Sequence, residues 1–338
     1  MKRALIFGIN GQDGSYLAEI LIEKGYEVNG TIRRSSVITT ERIEHIFKKI
    51  KLHYCDMTDT MNIYNIIDRV KPDEIYNFSA QSHVKISAEL EDYTFRVNTL
   101  GVLNILQSVR NIGIKCKIYQ ASTSEIMGNT TDGTFKMNEN SKQTPVSIYG
   151  ISKHAAQEIC NMYRDAYGMF VVNSILYNHE SRRRGHNFVT QKIAMYVARY
   201  KLGLEETELE LGNLNARRDW GDAREYMEAV YLMLQKEEPD NYVIATGETH
   251  SVREYVEEAF KEIGIEIEWS GEGTSEIGRE RRSGRVIVRV NEKYYRDIEI
   301  DCLIGDSRKA REKLGWENKK KFREIVKDMV RGAIERYE

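Results

Sequence analysis

The first half of the chain alternates short apolar runs with longer stretches in which apolar residues recur at helical spacing. The apolar runs predict β-strands at residues 3–7, 27–32, 51–54, 74–78, 117–121 and 171–176. The stretches of helical spacing predict helices at residues 16–24, 61–70, 94–112 and 148–167. Alternating strands and helices are typical of an α/β fold, so we expect a Rossmann-type doubly wound parallel sheet with helices on both faces.

This regular alternation ends near residue 180. Helical patterns continue at residues 188–202, 222–235, 252–263 and 322–337, with loops and short strand candidates between them. The segment 271–284 is rich in Gly, Ser, Glu and Arg, which predicts a mobile surface loop. We therefore expect a nucleotide-binding domain over residues 1–180, to which later segments return, and a smaller mixed α/β substrate-binding lobe over most of residues 181–338.

The composition excludes several classes of partner. A formal net charge of -2 gives no electrostatic basis for binding nucleic acid. No apolar run reaches the roughly 18 residues of a membrane span, so no membrane partner is expected. The four cysteines are scattered and form no CxxC pair, which argues against a metal site. Unpaired thiols and the absence of a targeting signal indicate a cytoplasmic protein.

Three glycines follow the first predicted strand in the spacing GxxGxxG: Gly8, Gly11 and Gly14. Glycines there permit a tight turn and a close approach of the backbone to a pyrophosphate, whose charge meets a helix N-terminus. The spacing is one residue longer than the GxGxxG fingerprint, and a plain strand-to-helix turn is the alternative. The position after the first strand favours a dinucleotide site, with Gln12 and Asp13 in the same loop.

The second predicted strand ends in two arginines, Arg33 and Arg34. An NAD site typically has an acidic residue there, which binds the ribose 2′-hydroxyl. Guanidinium groups instead bind a phosphate bidentately. A solvated basic turn is the alternative, but the pair favours NADP.

Tyr149 and Lys153 form a YxxxK pair on one face of a predicted helix. Tyrosine, with an ordinary pKa of about 10, is a poor base at neutral pH. A lysine ammonium and a nicotinamide cation nearby favour its phenolate. Thr123 follows the strand at 117–121, at the sheet edge where ligands bind, and is placed to hold a substrate hydroxyl. Capping of the next turn by the hydroxyls of residues 122–124 is the alternative.

Glu125 lies two residues after Thr123. A simple redox enzyme needs one acid/base, whereas elimination of water from a sugar also needs a base for a carbon-bound proton and an acid for the departing hydroxyl. One carboxylate beside the sugar can serve both in turn. A solvated loop residue is the alternative, but the position favours a catalytic role.

These elements resemble the extended short-chain dehydrogenase/reductase family, whose catalytic groups are a Ser or Thr and a YxxxK pair. Longer strings are similar to those of the GDP-mannose 4,6-dehydratases within it. They are GINGQDGSYLAE at 8–19, QASTSE at 120–125, YNHES at 177–181, FVTQK at 188–192, RDWG at 218–221 and the YR dipeptide at 295–296. The similarity extends over nearly the whole chain and is weakest at residues 264–290.

The resemblance implies a reaction with NADP as an internal hydride carrier and GDP-4-keto-6-deoxymannose as the product. Tyr149 would take the proton of the sugar O4 while hydride leaves C4 for NADP. Glu125 would then take the C5 proton and help expel the C6 hydroxyl as water, before hydride returns to C6. Thr123 would orient the sugar, and Lys153 would set Tyr149 and the nicotinamide ribose.

The same resemblance implies the remaining contacts. The cofactor would be held by the glycine loop and by Asp56, Met57, Ala80, Gln81, Ser82, His179 and Arg184, besides the residues already named. The substrate would be held by Ser82, Ser124, Asn178, Val189, Lys192, Gly212, Arg218, Arg296 and Glu299. Surface charge is the alternative for the basic members of the second set.

Three departures from the family pattern stand out. Arg182 replaces a proline that stiffens a turn, Gln191 removes one charge, and Asp297 replaces a proline beside Arg296. They put affinity and loop geometry in doubt more than reaction type.

Other activities share the glycines and the YxxxK pair. These are another nucleotide-sugar 4,6-dehydratase, a 4-epimerase or a reductase of the same fold, and a non-catalytic NADPH-binding sensor or scaffold. The segment 123–125 and the motifs at Asn178 and Arg218 favour the dehydratase. The resemblance also implies a homodimer or homotetramer, with residues 33–40 as a contact region near the cofactor.

Overall fold

The computed structural model describes residues 1–129, 135–295 and 299–338. The strands are β1 (Arg3–Phe7), β2 (Glu27–Ile32), β3 (Ile50–Tyr54), β4 (Glu74–Asn77), β5 (Lys117–Ala121), β6 (Val171–Leu176), β7 (Asn178–Glu180), β8 (Leu209–Leu211), β9 (Arg217–Arg218), β10 (Trp220–Asp222), β11 (Asn241–Ile244), β12 (His250–Ser251), β13 (Ile267–Ser270), β14 (Ile277–Glu280) and β15 (Val286–Val290).

The helices are α1 (Gln12–Glu23), α2 (Thr60–Val70), α3 (Val84–Ser87), α4 (Glu91–Phe95), α5 (Gly101–Ile112), α6 (Ile148–Tyr167), α7 (Val189–Lys201), α8 (Ala223–Leu234), α9 (Val252–Lys261), α10 (Arg308–Leu314) and α11 (Phe322–Tyr337). Short 3₁₀ turns occur at Glu44–Lys49, Ser124–Ile126, Gly273–Ser275 and Glu292–Tyr294, and a π turn at Arg96–Leu100 joins α4 to α5. No helix among the described residues is long and apolar enough to cross a bilayer.

Seven parallel strands form the central sheet, in the order β11-β6-β5-β4-β1-β2-β3. Helices cover both faces of this sheet, which confirms the predicted doubly wound α/β class. One face packs against α1, α8 and α10, and the other packs against α2, α5 and α6. The strand order reverses between β1 and β4, and ligands bind at such a switch point in open α/β sheets.

A second body of structure is built mainly from later segments. The strands β13, β14, β15 and β8 form a four-stranded sheet. Its apolar side chains join those of α7, α9 and α11 in one buried cluster. Three later elements, β11, α8 and α10, instead belong to the central sheet and its cover.

The prediction of a mobile surface loop at residues 271–284 is wrong, because β14 occupies part of this segment and pairs with β13 and β15. Glycine and charged residues hid the strand from a pattern of apolar positions. Gly278 lies under Trp269, where a Cβ would approach the indole ring to 2.9 Å. In this small sheet, a missing side chain makes room for an aromatic ring of the neighbouring strand.

Candidate active site

The glycine loop lies at the switch point of the central sheet. Gly8 has φ of +82°, a left-handed conformation that favours glycine. A Cβ on Gly14 would lie 2.4 Å from the Gly8 carbonyl oxygen, so α1 packs against the loop only without a side chain there. Gly11 precedes α1 and supplies no side-chain cap. The first N–H groups of α1 are thus left to an anionic ligand such as a pyrophosphate.

Asp13 and His179 form an ion pair across the loop, with Oδ2 and Nε2 3.0 Å apart. Burial raises the pKa of Asp13, but His179 outweighs it and the net pKa is lowered. Burial lowers the pKa of His179, but Asp13 outweighs it and the net pKa is raised. The Gln12 side chain also donates to the His179 carbonyl oxygen at 3.1 Å. The first turn of α1 is therefore fixed to β7, a strand some 160 residues later in the chain.

One cavity of about 990 Å³ extends from the glycine loop to the second body of structure. Its lining includes most of the residues predicted from the sequence: Gly8, Gly11, Gln12, Asp13, Gly14, Ala80, Ser82, Thr123, Ser124, Glu125, Tyr149, Lys153, Asn178, His179, Arg184, Val189, Lys192, Gly212, Arg218 and Glu299. Residues from widely separated motifs thus share one space.

The YxxxK pair lies at the centre of this cavity on α6. Burial raises the pKa of Tyr149 to about 12, although its hydrogen bond with Thr123 acts in the opposite direction. Burial lowers the pKa of Lys153 to about 8. The Lys153 ammonium donates to the Ala121 carbonyl oxygen at 2.9 Å. The protein alone therefore keeps the phenol protonated at neutral pH, and a further positive charge is needed to favour the phenolate.

Glu125 projects from the 3₁₀ turn that follows β5. The Thr123 hydroxyl caps this turn by accepting from the Glu125 amide at 3.3 Å. The capping role that the sequence left as an alternative is therefore real, and it coexists with the Tyr149 contact. Glu125 is buried, and its charge is close enough to Tyr149 to raise the tyrosine pKa. A carboxylate and a phenol thus face one cavity beside a threonine hydroxyl.

Asn98, which the sequence analysis missed, supports this centre from the π turn. Its side chain donates to the Gln81 carbonyl oxygen at 3.0 Å and to the Ser152 hydroxyl at 3.1 Å. It also accepts from the Gln81 amide at 2.9 Å. Asn98 thereby ties the segment after β4 to α6. A helical pattern over residues 94–112 gave no sign of the π turn that aims this side chain inward.

The far end of the cavity is basic. Arg218 is buried and donates to the Ile300 carbonyl oxygen at 2.7 Å and to Glu299 at 2.9 Å. Lys192 lies 3.8 Å from the centroid of the Tyr294 ring and donates to the Glu210 carbonyl oxygen at 2.6 Å. These side chains come from β9 and α7, so the cations converge only in the folded chain. Such a group suits the diphosphate of a nucleotide.

Arg184 lies between the two ends, with its guanidinium 3.8 Å from the centroid of the Phe188 ring. It forms an ion pair with Glu180 at 3.2 Å. Glu180 is buried, and burial raises its pKa despite the opposing effect of Arg184. Glu180 was not predicted as a site residue, although it lies within the string YNHES. It anchors the arginine that borders the cavity.

Five predicted residues do not line the cavity: Arg33, Arg34, Asp56, Met57 and Gln81. Both arginines are exposed, and Arg33 donates to the Tyr93 hydroxyl at 2.6 Å. Asp56 accepts from the amide and hydroxyl of Thr58. These residues lie at or after the carboxyl ends of β2 to β4, around the adenosine end of the predicted site. Arg296 lies outside the described residues.

Comparison with known proteins shows which family this chain resembles. A family model described as GDP-mannose 4,6 dehydratase matches residues 5–329. The chain is 51% identical over 342 residues to a human protein named GDP-mannose 4,6 dehydratase, covering 98% of this chain and 91% of that protein. It is 46% identical over 339 residues to the GDP-mannose 4,6-dehydratase of Sinorhizobium fredii, covering 98% of this chain and 96% of the relative.

Solved structures share the fold at lower sequence identity. A UDP-glucose 4-epimerase from Thermotoga maritima, solved with UDP-glucose, has a TM-score of 0.81 at 22% identity, covering 99% of this chain and 100% of that one. RMD from Pseudomonas aeruginosa, solved with NADPH, has a TM-score of 0.78 at 19% identity, again covering 99% and 100% of the two chains. At such identities the likeness concerns the fold alone.

Proposed function

Because the chain belongs to the GDP-mannose 4,6-dehydratase family, we propose that it removes water from GDP-mannose and yields GDP-4-keto-6-deoxymannose. The cofactor is NADP, which supplies a hydride acceptor and donor within one catalytic cycle when it is bound. The observation that carries the proposal is the convergence of Thr123, Glu125, Tyr149 and Lys153 in one cavity with a basic far end. A rival 4-epimerase or reductase has no need of the carboxylate.

The residues present fit an NADP molecule. The uncapped start of α1 would hold the pyrophosphate, and Gly14 leaves room for backbone contact. Arg33 and Arg34 would meet the 2′-phosphate, with Asp56 and Met57 beside the adenine. Ala80, Gln81 and Ser82 would line the cofactor, with Lys153, His179 and Arg184 at its nicotinamide end.

Tyr149 acts as the base at the sugar O4. A phenol with a pKa of about 12 is a poor base at neutral pH, so its phenolate needs a positive charge beyond those of the protein, which the bound nicotinamide would supply. The Thr123 and Tyr149 hydroxyls are hydrogen-bonded to each other. Thr123 is therefore placed to hold the sugar hydroxyl that Tyr149 deprotonates. Lys153 keeps its position through the Ala121 carbonyl oxygen.

Glu125 acts at C5 and C6. Once C4 is a ketone, the C5 hydrogen is acidic, and a carboxylate on the same side takes it. The proton then leaves with the C6 hydroxyl as water, which breaks the C6–O bond and forms a C5–C6 double bond. Return of the hydride to C6, which the bound NADP would supply, and uptake of a solvent proton at C5 complete the product. Burial of Glu125 excludes bulk water from this exchange.

The basic end of the cavity binds the GDP portion. Lys192 and Arg218 face the diphosphate, with Asn178, Val189, Gly212 and Glu299 around the remainder and Arg296 as a further member of the set. Ser82 and Ser124 face the sugar. This division assigns residues 1–180 mainly to the cofactor and residues 181–338 mainly to the substrate.

A homodimer or homotetramer in the cytoplasm completes the proposal. Val37 and Ile38 are 68% and 78% exposed, in the segment 33–40 predicted to meet a second copy. The four cysteines are buried thiols, as is usual in a reducing compartment.

The test is incubation with GDP-mannose and catalytic NADP in D₂O, followed by mass spectrometry. We expect loss of one water, one solvent deuterium in the product at C5 and no net NADPH. Glu125→Gln should retain NADP binding and lose most of the product, since a neutral amide takes no proton. Unchanged GDP-mannose in protein that binds NADP would contradict the reaction, and wild-type turnover of Glu125→Gln would contradict the role of Glu125.

A further inference from the structure

A second, smaller cleft of about 170 Å³ lies beside the main cavity. It is lined by Glu41, Arg42, His45, Arg183, His186 and Arg336. These residues come from three segments: the loop after β2, the loop after β7 and the last turns of α11. Three arginines and two histidines therefore face one small space with a single acidic side chain in its lining.

Two of these arginines have no carboxylate partner within residues 1–129, 135–295 and 299–338. Arg42 donates to the Arg183 carbonyl oxygen at 2.7 Å and to the Asn10 carbonyl oxygen at 3.4 Å. Arg336 contacts the Nε2 atom of His186 at 2.7 Å, so a cation meets a ring nitrogen. Both guanidinium groups therefore have N–H donors left for a further acceptor, with Glu41 as the one acidic side chain in the lining.

The neighbouring groups are affected by this unbalanced charge. Burial lowers the pKa of His186, and Arg336 and Arg42 lower it further. Burial likewise lowers the pKa of Arg42; Glu41 opposes this, whereas Arg336 and Arg183 reinforce it. By contrast, Arg183 is neutralised by Glu19, which His45 also contacts at 2.6 Å.

We propose that this cleft binds a phosphate-type oxyanion, outside the cavity that holds the cofactor and substrate. Guanidinium groups from different segments offer the fork-shaped donors that phosphate oxygens accept. The anion accepts from Arg42 and Arg336 and holds the two side chains together.

The cleft adjoins the main cavity, because Arg42 and Arg183 line both. Arg42 reaches the glycine loop through Asn10, and Arg183 donates to Ser15 of α1 at 3.1 Å. A bound anion therefore draws together the two loops that flank the start of α1. The inference concerns a site separate from the proposed reaction and does not depend on that reaction.

The experiment is a calorimetric titration of inorganic phosphate into the full chain, saturated beforehand with NADP and GDP so that the main cavity is filled. We expect one phosphate site per chain at constant ionic strength. Arg336→Gln should weaken phosphate binding about tenfold or more, as expected for loss of a charge-assisted hydrogen bond. The matched control Arg331→Gln removes an exposed arginine from the same helix and should leave the affinity unchanged.

Three results would overturn the proposal. Uptake of phosphate by the wild-type protein only when NADP and GDP are omitted would place the anion in the main cavity. Equal affinities in both variants would remove Arg336 from the site. Absent phosphate binding, with a change of oligomeric state in Arg336→Gln by light scattering, would mean that a carboxylate of a second copy fills the cleft.

Discussion

The two regions that we propose for the cofactor and for the substrate contribute to the cavity in different ways. In the first half, Gly8 to Gly14 and Tyr149 to Lys153 are short motifs within single strand-to-helix or helical units. In the second, Lys192, Arg218 and Glu299 come from distant segments and meet only through packing. Chemistry that depends on a motif is visible locally, whereas a binding surface assembled over a hundred residues is not.

This contrast predicts a division between catalysis and binding. Tyr149→Phe removes the base but leaves the cavity filled, so kcat should fall about 10²–10⁴-fold, the usual range for a lost general base. The KM for GDP-mannose and the Kd for NADP should change little. Steady-state kinetics and fluorescence titration of NADPH measure these quantities. A matching rise in KM would show that the Tyr149 hydroxyl also contributes to substrate binding.

The reciprocal change lies in the substrate lobe. Arg218→Met removes the cation proposed to face the diphosphate and takes from Glu299 its guanidinium partner at 2.9 Å. The KM for GDP-mannose should rise by a factor that corresponds to about 2–4 kcal/mol of lost binding free energy, with little change in NADP affinity. Arg217→Met is the neighbouring control, because Arg217 is 42% exposed and pairs with a half-exposed glutamate. Comparable effects of the two substitutions would contradict the assignment of Arg218 to the diphosphate.

The buried Lys153 ammonium also lowers the folding stability of the first half. The difference between the ordinary Lys153 pKa of 10.5 and about 8 corresponds to about 3 kcal/mol of destabilisation below pH 8. Between pH 8 and pH 10.5 the unfolded chain binds more protons than the folded one, so the destabilisation decreases as the pH rises toward 10.5.

Lys153→Met should therefore stabilise the cofactor-free protein at pH 7 by about 1–3 kcal/mol, after loss of the Ala121 hydrogen bond. The gain should shrink at pH 10. Urea unfolding of both proteins at the two pH values measures it. A destabilised variant at pH 7 would show that Lys153 is neutral or better solvated than its burial implies.

Sequence patterns predicted the central sheet because each strand and helix there has its own period. Residues 148–167 formed the predicted helix α6, and residues 27–32 formed β2. The same approach failed where a three-dimensional neighbour decides the conformation. Asn98 is buried within a π turn, and β14 becomes a strand by pairing on both sides. Glu180 lines the cavity and pairs with Arg184, four residues later, through the turn that follows β7.

The smallest predicted effect lies at the contact between the two regions. Arg182, which stands where the family pattern has proline, donates to Asp328 at 2.8 Å and also pairs with Glu335. Its aliphatic stem crosses α11 at Gly332, where a Cβ would come within 2.6 Å of the Arg182 Cγ and Cδ atoms. The absent side chain thus lets the loop after β7 dock on the last helix.

Gly332→Ala makes this contact measurable. A mid-helix glycine replaced by alanine normally stabilises by about 1 kcal/mol. Here the added methyl has to displace Arg182 from its ion pairs, so the gain should be cancelled in the wild-type background and recovered in Arg182→Ala. The expected coupling free energy is about 1 kcal/mol by urea unfolding of the four proteins in this cycle. Equal effects of Gly332→Ala in both backgrounds would mean that the contact between Arg182 and α11 contributes no coupling free energy, and that other contacts join the two regions.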